Sequence, residues 1–391
     1  MAVSSIPRSV PKSPASTLRR NPTAAWRHLD LVLLGCIVAI ACLGTLMVYS
    51  ATRGPTPPYS TTYLEKQALY VAIGFALIAV VTLVDYRVFR DWSLFLYAGS
   101  CATLLLVVSP LGSKSKGAQS WFQVAGFQFQ PSEIAKVALV VAMAAIAAQF
   151  RGEIDLRRLA VLLVLAGVPI ALIMLQPDLG SGLVFIAIAA GMLLVAGARG
   201  RHLAVLALVM VLGVGFVLHS NVLKEYQTAR LTSFLADSSS AKGNPALQQE
   251  RYNVDQSLTT IGAGGPFGQG FLQGNQTRLH NVPEQQTDFI FTAVGEQLGF
   301  VGSGTLLALF CIMAWRILRT AQLARDEFGM LVCVGVLAML MFQIFENVGM
   351  TMGIMPVTGI PLPLVSYGGS STIAEFLALG LVLNVHMRRF A

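Results

Sequence analysis

The stretch Val282-Pro283-Glu284-Gln285-Gln286-Thr287-Asp288-Phe289-Ile290-Phe291 sets two carboxylates where a long polar run gives way to an apolar one. A carboxylate at a water–apolar boundary has its charged form disfavoured. That moves it toward the range in which a general base works near neutral pH. Asp288 also fits a plainer role, the N-cap of the helix that follows, for which Thr287 competes. Three more polar clusters sit beside apolar runs. In Gln130-Pro131-Ser132-Glu133-Ile134-Ala135-Lys136, the acid and the lysine are three apart and share a helix face, so they can pair. That pair suits either a functional site or a structural ion pair. Gln176-Pro177-Asp178-Leu179-Gly180 reads as a turn with Asp178 capping the next helix. Glu346 and Asn347 lie inside an apolar run and must face protein rather than lipid.

The elements that position these groups follow from composition. The chain has 391 residues, 55% hydrophobic and 12% charged. A soluble domain carries about 25% charged residues, so the composition points to a membrane protein. The net charge of +8 comes from short basic clusters between apolar runs, which carries topology rather than a nucleic-acid surface. All five cysteines lie within apolar runs, without the spacing of a disulfide framework or a zinc site. Residues 1–29, rich in Ser, Pro and basic side chains, read as a disordered cytoplasmic tail. Residues 30–391 form the membrane domain.

The fold class expected is an all-α integral membrane protein of ten spans. A spanning helix takes about 20 apolar residues, and the runs that qualify lie near 31–50, 67–85, 92–110, 132–149, 158–176, 180–198, 202–219, 288–315, 328–350 and 371–387. With both termini in the cytoplasm, seventeen Lys and Arg fall inside and only Arg53, Lys66, Lys114 and Lys116 in the short outer loops. That bias fixes the orientation. Residues 220–287 then form one long outer loop, well beyond ordinary connection lengths. Its second half, from Gln256-Ser257 to Gly270, predicts a short interfacial helix followed by tight glycine turns. The Pro- and Gly-rich stretch from Ile354 to Ser371 cannot be helical. At membrane depth it needs protein or a wet cavity to satisfy its backbone, so it is expected to tuck back toward the same outer cavity.

Taken in order, Met47-Val48-Tyr49-Ser50-Ala51, Phe129 to Lys136, Gln176 to Gly180, Gln256-Ser257, Pro283 to Phe291 and Pro361-Leu362-Pro363-Leu364-Val365-Ser366-Tyr367-Gly368-Gly369-Ser370 resemble the SEDS family of shape, elongation, division and sporulation proteins. The resemblance covers nearly all of the chain from the first span onward. Gly349 to Pro361 and Gly274 to Leu279 resemble the elongation branch more than the division branch. Where the family often has arginine before the tryptophan of an outer loop, this chain has Ser120-Trp121, and Gln128 stands where a basic residue is frequent.

The resemblance implies a peptidoglycan glycosyltransferase that polymerises lipid II on the outer side of the cytoplasmic membrane. Asp288 falls on the family's catalytic aspartate. Candidates for binding substrate or its pyrophosphate are Lys136, Glu133, Arg278, Glu284, Gln256 and Ser257. A divalent cation, Mg or Mn, is a further candidate, with Asp288 and Glu284 as its ligands, and no organic cofactor is expected. The partners implied are lipid II, a single-span class B penicillin-binding protein and other elongation-complex membrane proteins, with no nucleic acid. A lipid II flippase, a division-type polymerase and a non-catalytic scaffold are the alternatives.

Overall fold

The computed structural model of the chain describes residues 28–54, 56–110, 112–115, 118–124, 127–150, 154–208, 228–230 and 244–390. The expected disordered tail, apart from its last two residues, lies outside them. So do most of the seventh span, where the helix is described from residue 200 to 208, and most of the first half of the outer loop.

The described residues are mostly helical. The principal helices are α1 (Leu31–Thr52), α2 (Thr62–Leu83), α3 (Tyr86–Asp91), α4 (Ser93–Val108), α5 (Pro131–Ala147), α6 (Leu156–Met174), α7 (Leu179–Val195), α8 (Pro245–Ala263), α9 (Asn275–Arg278), α10 (Ile290–Gln322), α11 (Glu327–Thr351) and α12 (Gly369–Met387). Six of them, α1, α2, α6, α10, α11 and α12, are long and apolar enough to cross a membrane, and α4 and α7 are shorter apolar helices. Local chemistry sets many of the starts. Asp30, Asp155, Asp178 and Asp326 each accept a backbone N–H as N-caps of α1, α6, α7 and α11. Pro131 opens α5 and Pro245 opens α8, where a missing N–H costs nothing.

An entirely helical chain is not what forms. Between α4 and α5 the backbone makes a three-stranded antiparallel sheet of β1 (Ser113–Ser115), β2 (Ala118–Val124) and β3 (Phe127–Phe129), in that order. Phe122 stands opposite Phe129, and Trp121 opposite Ser113. The segment is too short for an apolar run to register, yet its aromatic residues favour a pleated surface. The sheet delivers Gln130 directly to the head of α5.

Buried residues of α5, α7, α10, α11 and α12 share one apolar core with α1, and α12 packs chiefly on α2. α10 is broken at Gly299, whose φ of 66° lies in the left-handed region open to glycine. The helix expected from Gln256 is α8, which begins eleven residues earlier, at Pro245, and packs on α10 and α11.

Candidate functional site

The helix N-cap reading of Asp288 does not hold. α10 is capped at Phe289 with no side-chain cap, and the Thr292 hydroxyl donates instead to the Phe289 carbonyl at 2.7 Å. Asp288 lies one residue earlier, in a turn closed by its own N–H and that of Thr287 onto the Glu284 carbonyl, at 3.1 and 3.2 Å. Glu284 holds that turn at φ 53°, a conformation costly for a residue with a side chain. Val282 and Phe289, on either side of it, are buried against Val254 of α8 and Val357.

The turn is fastened from behind by α11. Asn347, fully buried, donates from Nδ2 to the carbonyls of Asp288 at 2.7 Å and of Ile360 at 2.8 Å. One amide thus ties the acid to the Pro- and Gly-rich segment. Its neighbour Glu346 accepts from the Thr358 hydroxyl at 3.0 Å, and the Tyr367 N–H donates to the Gln286 carbonyl at 2.8 Å. The segment therefore folds back as expected. At its crown is Gly359, with φ 73°, where a Cβ would sit 3.3 Å from Asp288 Oδ2.

These elements enclose a cavity of about 900 Å³. Asp288, Glu284 and Thr287 line one wall, with Thr358, Gly359 and Tyr367 beside them. Lys66 and Tyr70 of α2, Trp121 and Gln128 of the sheet, and Gln130 and Asp178 complete it. Burial, with Tyr70 and Tyr63 alongside, pushes the Tyr367 phenol well above its ordinary value, so it stays a neutral hydroxyl. Asp178 fills the capping role its turn predicts and also faces the cavity. It takes the Ser181 N–H at 3.0 Å and the Gln130 amide at 3.1 Å.

The other candidates fall elsewhere. Glu133 and Lys136 form an ion pair of 2.7 Å with side chains 5% and 3% exposed, in the core rather than on the cavity lining. Glu375 of α12 is the neighbouring buried carboxylate, and it accepts the Leu364 N–H at 2.7 Å. Arg278 is exposed at the end of α9, and Ser257 is buried with its hydroxyl on the Thr351 carbonyl at 2.6 Å. Gln256 is partly exposed on α8 and, like them, does not line the cavity. Glu296, inside α10, receives the N–H groups of Gln276 and Thr277 at 2.7 and 2.9 Å and so fixes α9.

Two cations on the lining escaped the sequence reading, which took Lys66 only as a topology marker. Arg230 reaches the cavity while its Nε donates to Glu250 of α8 at 3.1 Å. Nothing local marks either residue as a site member. Among the described residues no three or more His, Cys, Asp or Glu gather into a metal centre. Asp288 and Glu284 together still offer the one or two carboxylates that magnesium ordinarily takes alongside phosphate oxygens.

A bundle of long apolar helices around a cavity lined by both acids and cations is the architecture of a multi-pass membrane protein. The family model described as cell cycle protein, FTSW_RODA_SPOVE, matches residues 30–390. The chain belongs to this family, the SEDS proteins. It is 34% identical to the probable peptidoglycan glycosyltransferase FtsW of Geobacter sp. (strain M18), over 92% of this chain and 97% of that protein. It is also 34% identical to the peptidoglycan glycosyltransferase MrdB of Escherichia coli (strain K12), over 93% and 94%. Stage V sporulation protein E of Bacillus subtilis (strain 168) is 36% identical, over 91% and 96%. Among solved structures, a chain of a peptidoglycan synthase complex coordinating polymerization and crosslinking superposes with a TM-score of 0.77 at 31% identity, over 92% of this chain and 98% of that one. Thermus thermophilus rod shape determining protein RodA gives 0.68 at 29% identity, over 93% and 98%. Identity alone does not separate the FtsW type from the MrdB type.

Proposed function

We propose that this peptidoglycan glycosyltransferase polymerises lipid II with Asp288 as general base. The observation that carries the reading is the placement of Asp288. A carboxylate on the cavity wall is fastened, through its own backbone carbonyl and Asn347, to the Pro- and Gly-rich segment that lines the cavity beside it. The 4-hydroxyl oxygen of one sugar would attack the anomeric carbon of another and pass its proton to Asp288. The anomeric C–O bond would break with its electron pair going to the polyprenyl diphosphate. One displacement turns an α-linked donor into a β-linked product. Charge developing on the diphosphate calls for cations, and among the described residues those on the lining are Lys66 and Arg230. A divalent cation held by Glu284 and Asp288 would add charge neutralisation at the same place. Glu133 and Lys136 would act from behind the wall, as positioning residues. Neither Arg278 nor the Gln256–Ser257 pair lines the cavity, so contact with substrate there would need the loop to move.

The cavity end faces outward in this reading, supported by the excess of Lys and Arg in the loops assigned to the cytoplasm. The stretch Gly349–Pro361 supports the elongation, RodA-type role. The similarity to a chain from a peptidoglycan synthase complex supports a class B penicillin-binding protein as partner. The test is Asp288→Asn in full-length protein reconstituted with its partner and lipid II. Glycan polymer should vanish while the melting profile stays that of the parent, and persistent polymer would remove Asp288 from the base role. Lipid II translocation measured in the same proteoliposomes separates polymerase from flippase.

A further inference from the structure

From Ala118 to Gln130 the chain carries no charged side chain, and glutamines alternate with aromatic residues toward its end. In the structure that alternation becomes the two faces of the β2–β3 hairpin. Gln123 stands directly opposite Gln128, and residues two apart on a strand share a face. Trp121 and Gln123 of β2 therefore lie on the same side as Gln128 of β3. Gln130 joins them, because its backbone is still extended, at φ −105° and ψ 109°. All four line the cavity, and Phe122, Phe127 and Phe129 do not.

The hairpin is fastened by its other face and its outgoing strand. Phe127 meets the Tyr70 ring of α2 edge-on, with centroids 5.7 Å apart, and fills the space that a Cβ at Gly369 would need. Ser370, at the start of α12, takes the Gln130 N–H at 3.0 Å and donates its own hydroxyl to the Gln128 carbonyl at 3.1 Å. On the incoming side, the Ser113 hydroxyl donates to the Trp121 carbonyl at 3.0 Å. The backbone is thus fixed while the side chains stay open. Gln123 and Gln128 are exposed and meet no partner among the described residues, and Trp121 is half-buried beside them.

Among the described residues, the charges on the cavity lining stand on other elements: Lys66 on α2, Arg230, Asp178, and Glu284 with Asp288 on their turn. A diphosphate belongs with the cations. A peptide carboxylate would find none on the hairpin face. What that face offers is a broad indole and two open carboxamides, each of which both donates and accepts. Hydroxyl and acetamido groups do the same, and the C–H side of a pyranose ring is flat and apolar enough to lie on an aromatic surface. We propose that this face is a sugar subsite. It holds one N-acetylated hexose ring of the substrate, with Trp121 against the C–H side and Gln123 and Gln128 on the polar substituents. The identity of the ligand rests on the polymerase reading above; the chemistry of the face does not.

The test compares two probes that share a lipid and a diphosphate, lipid II with its sugars and undecaprenyl diphosphate without them. Their affinities are measured on full-length protein in nanodiscs with its partner, for the parent, for Gln123→Ala with Gln128→Ala, for Trp121→Ala and for Trp121→Phe. The double variant and Trp121→Ala should bind lipid II about tenfold or more weakly, with undecaprenyl diphosphate held within about twofold. Trp121→Phe, which keeps an aromatic face, should stay within about threefold for both. In polymer formation the losses should fall on KM, with kcat within about threefold. Unchanged lipid II affinity in the double variant would overturn the proposal. So would an equal loss for both probes, which would assign the hairpin to the diphosphate or to the shape of the cavity. The glutamines are exposed, so the double variant decides the question even where Trp121→Ala folds poorly. A parent that binds lipid II but forms no polymer would sink the polymerase reading instead, and the comparison of probes would still decide the subsite.

Discussion

Asn347 is the residue whose loss should most cleanly separate holding the acid from being the acid. Its amide is fully buried, and Nδ2 serves the carbonyls of Asp288 and Ile360 at 2.7 and 2.8 Å. Asn347→Asp keeps the shape but replaces the donor by an acceptor facing two carbonyl oxygens. Each buried acceptor left without its donor costs about 1–3 kcal/mol. The two losses share one relaxing site, so the combined cost should be roughly 2–4 kcal/mol. The turn at Glu284–Asp288 would relieve most of it by moving away from the 354–368 segment. A displacement of about 1 Å at a reacting group costs on the order of 100-fold in rate. The expected outcome is a kcat lower by about two orders of magnitude with KM within about threefold. The measurement is polymer formation from lipid II by the reconstituted complex, normalised to folded protein. A kcat within twofold of the parent, in protein that is folded, would refute the positioning role. So would a loss confined to the yield of folded protein.

Gly359→Ala puts a methyl 3.3 Å from Asp288 Oδ2 at a φ of 73°, adding about 1–2 kcal/mol of backbone strain. Polymerisation should fall by about tenfold or more through kcat, and unchanged kinetics would show that the carboxylate does not need that space. Lys136→Met should destabilise the bundle by about 3–5 kcal/mol, because Glu133 is left as an unpaired buried charge. The double variant Glu133→Leu with Lys136→Met should recover that stability in denaturant unfolding yet remain inactive. Recovered polymerisation would assign the pair to folding alone.

The helices were legible because lipid imposes a length. Runs of apolar residues near 31–50 and 328–350 become Leu31–Thr52 and Glu327–Thr351 with shifts of one or two residues. Asp178 as a cap was legible too, since its partner Ser181 is three residues away. The sheet before α5 was not, because its strands of three to seven residues gain their order from pairing with one another. The candidate site divides in the same way. The sequence alone put Asp288 at a polar–apolar boundary and Glu133 on the same helix face as Lys136, for both follow from spacing along the chain. Only the tertiary structure turned that ion pair into the core, left Arg278 on the surface and brought Lys66 and Arg230 to the cavity. It also decided that Asp288 is held by Asn347, 59 residues away, rather than spent on a helix cap. Such contacts carry no local signature, since they form only when distant helices close on one another and a buried amide must find its acceptors.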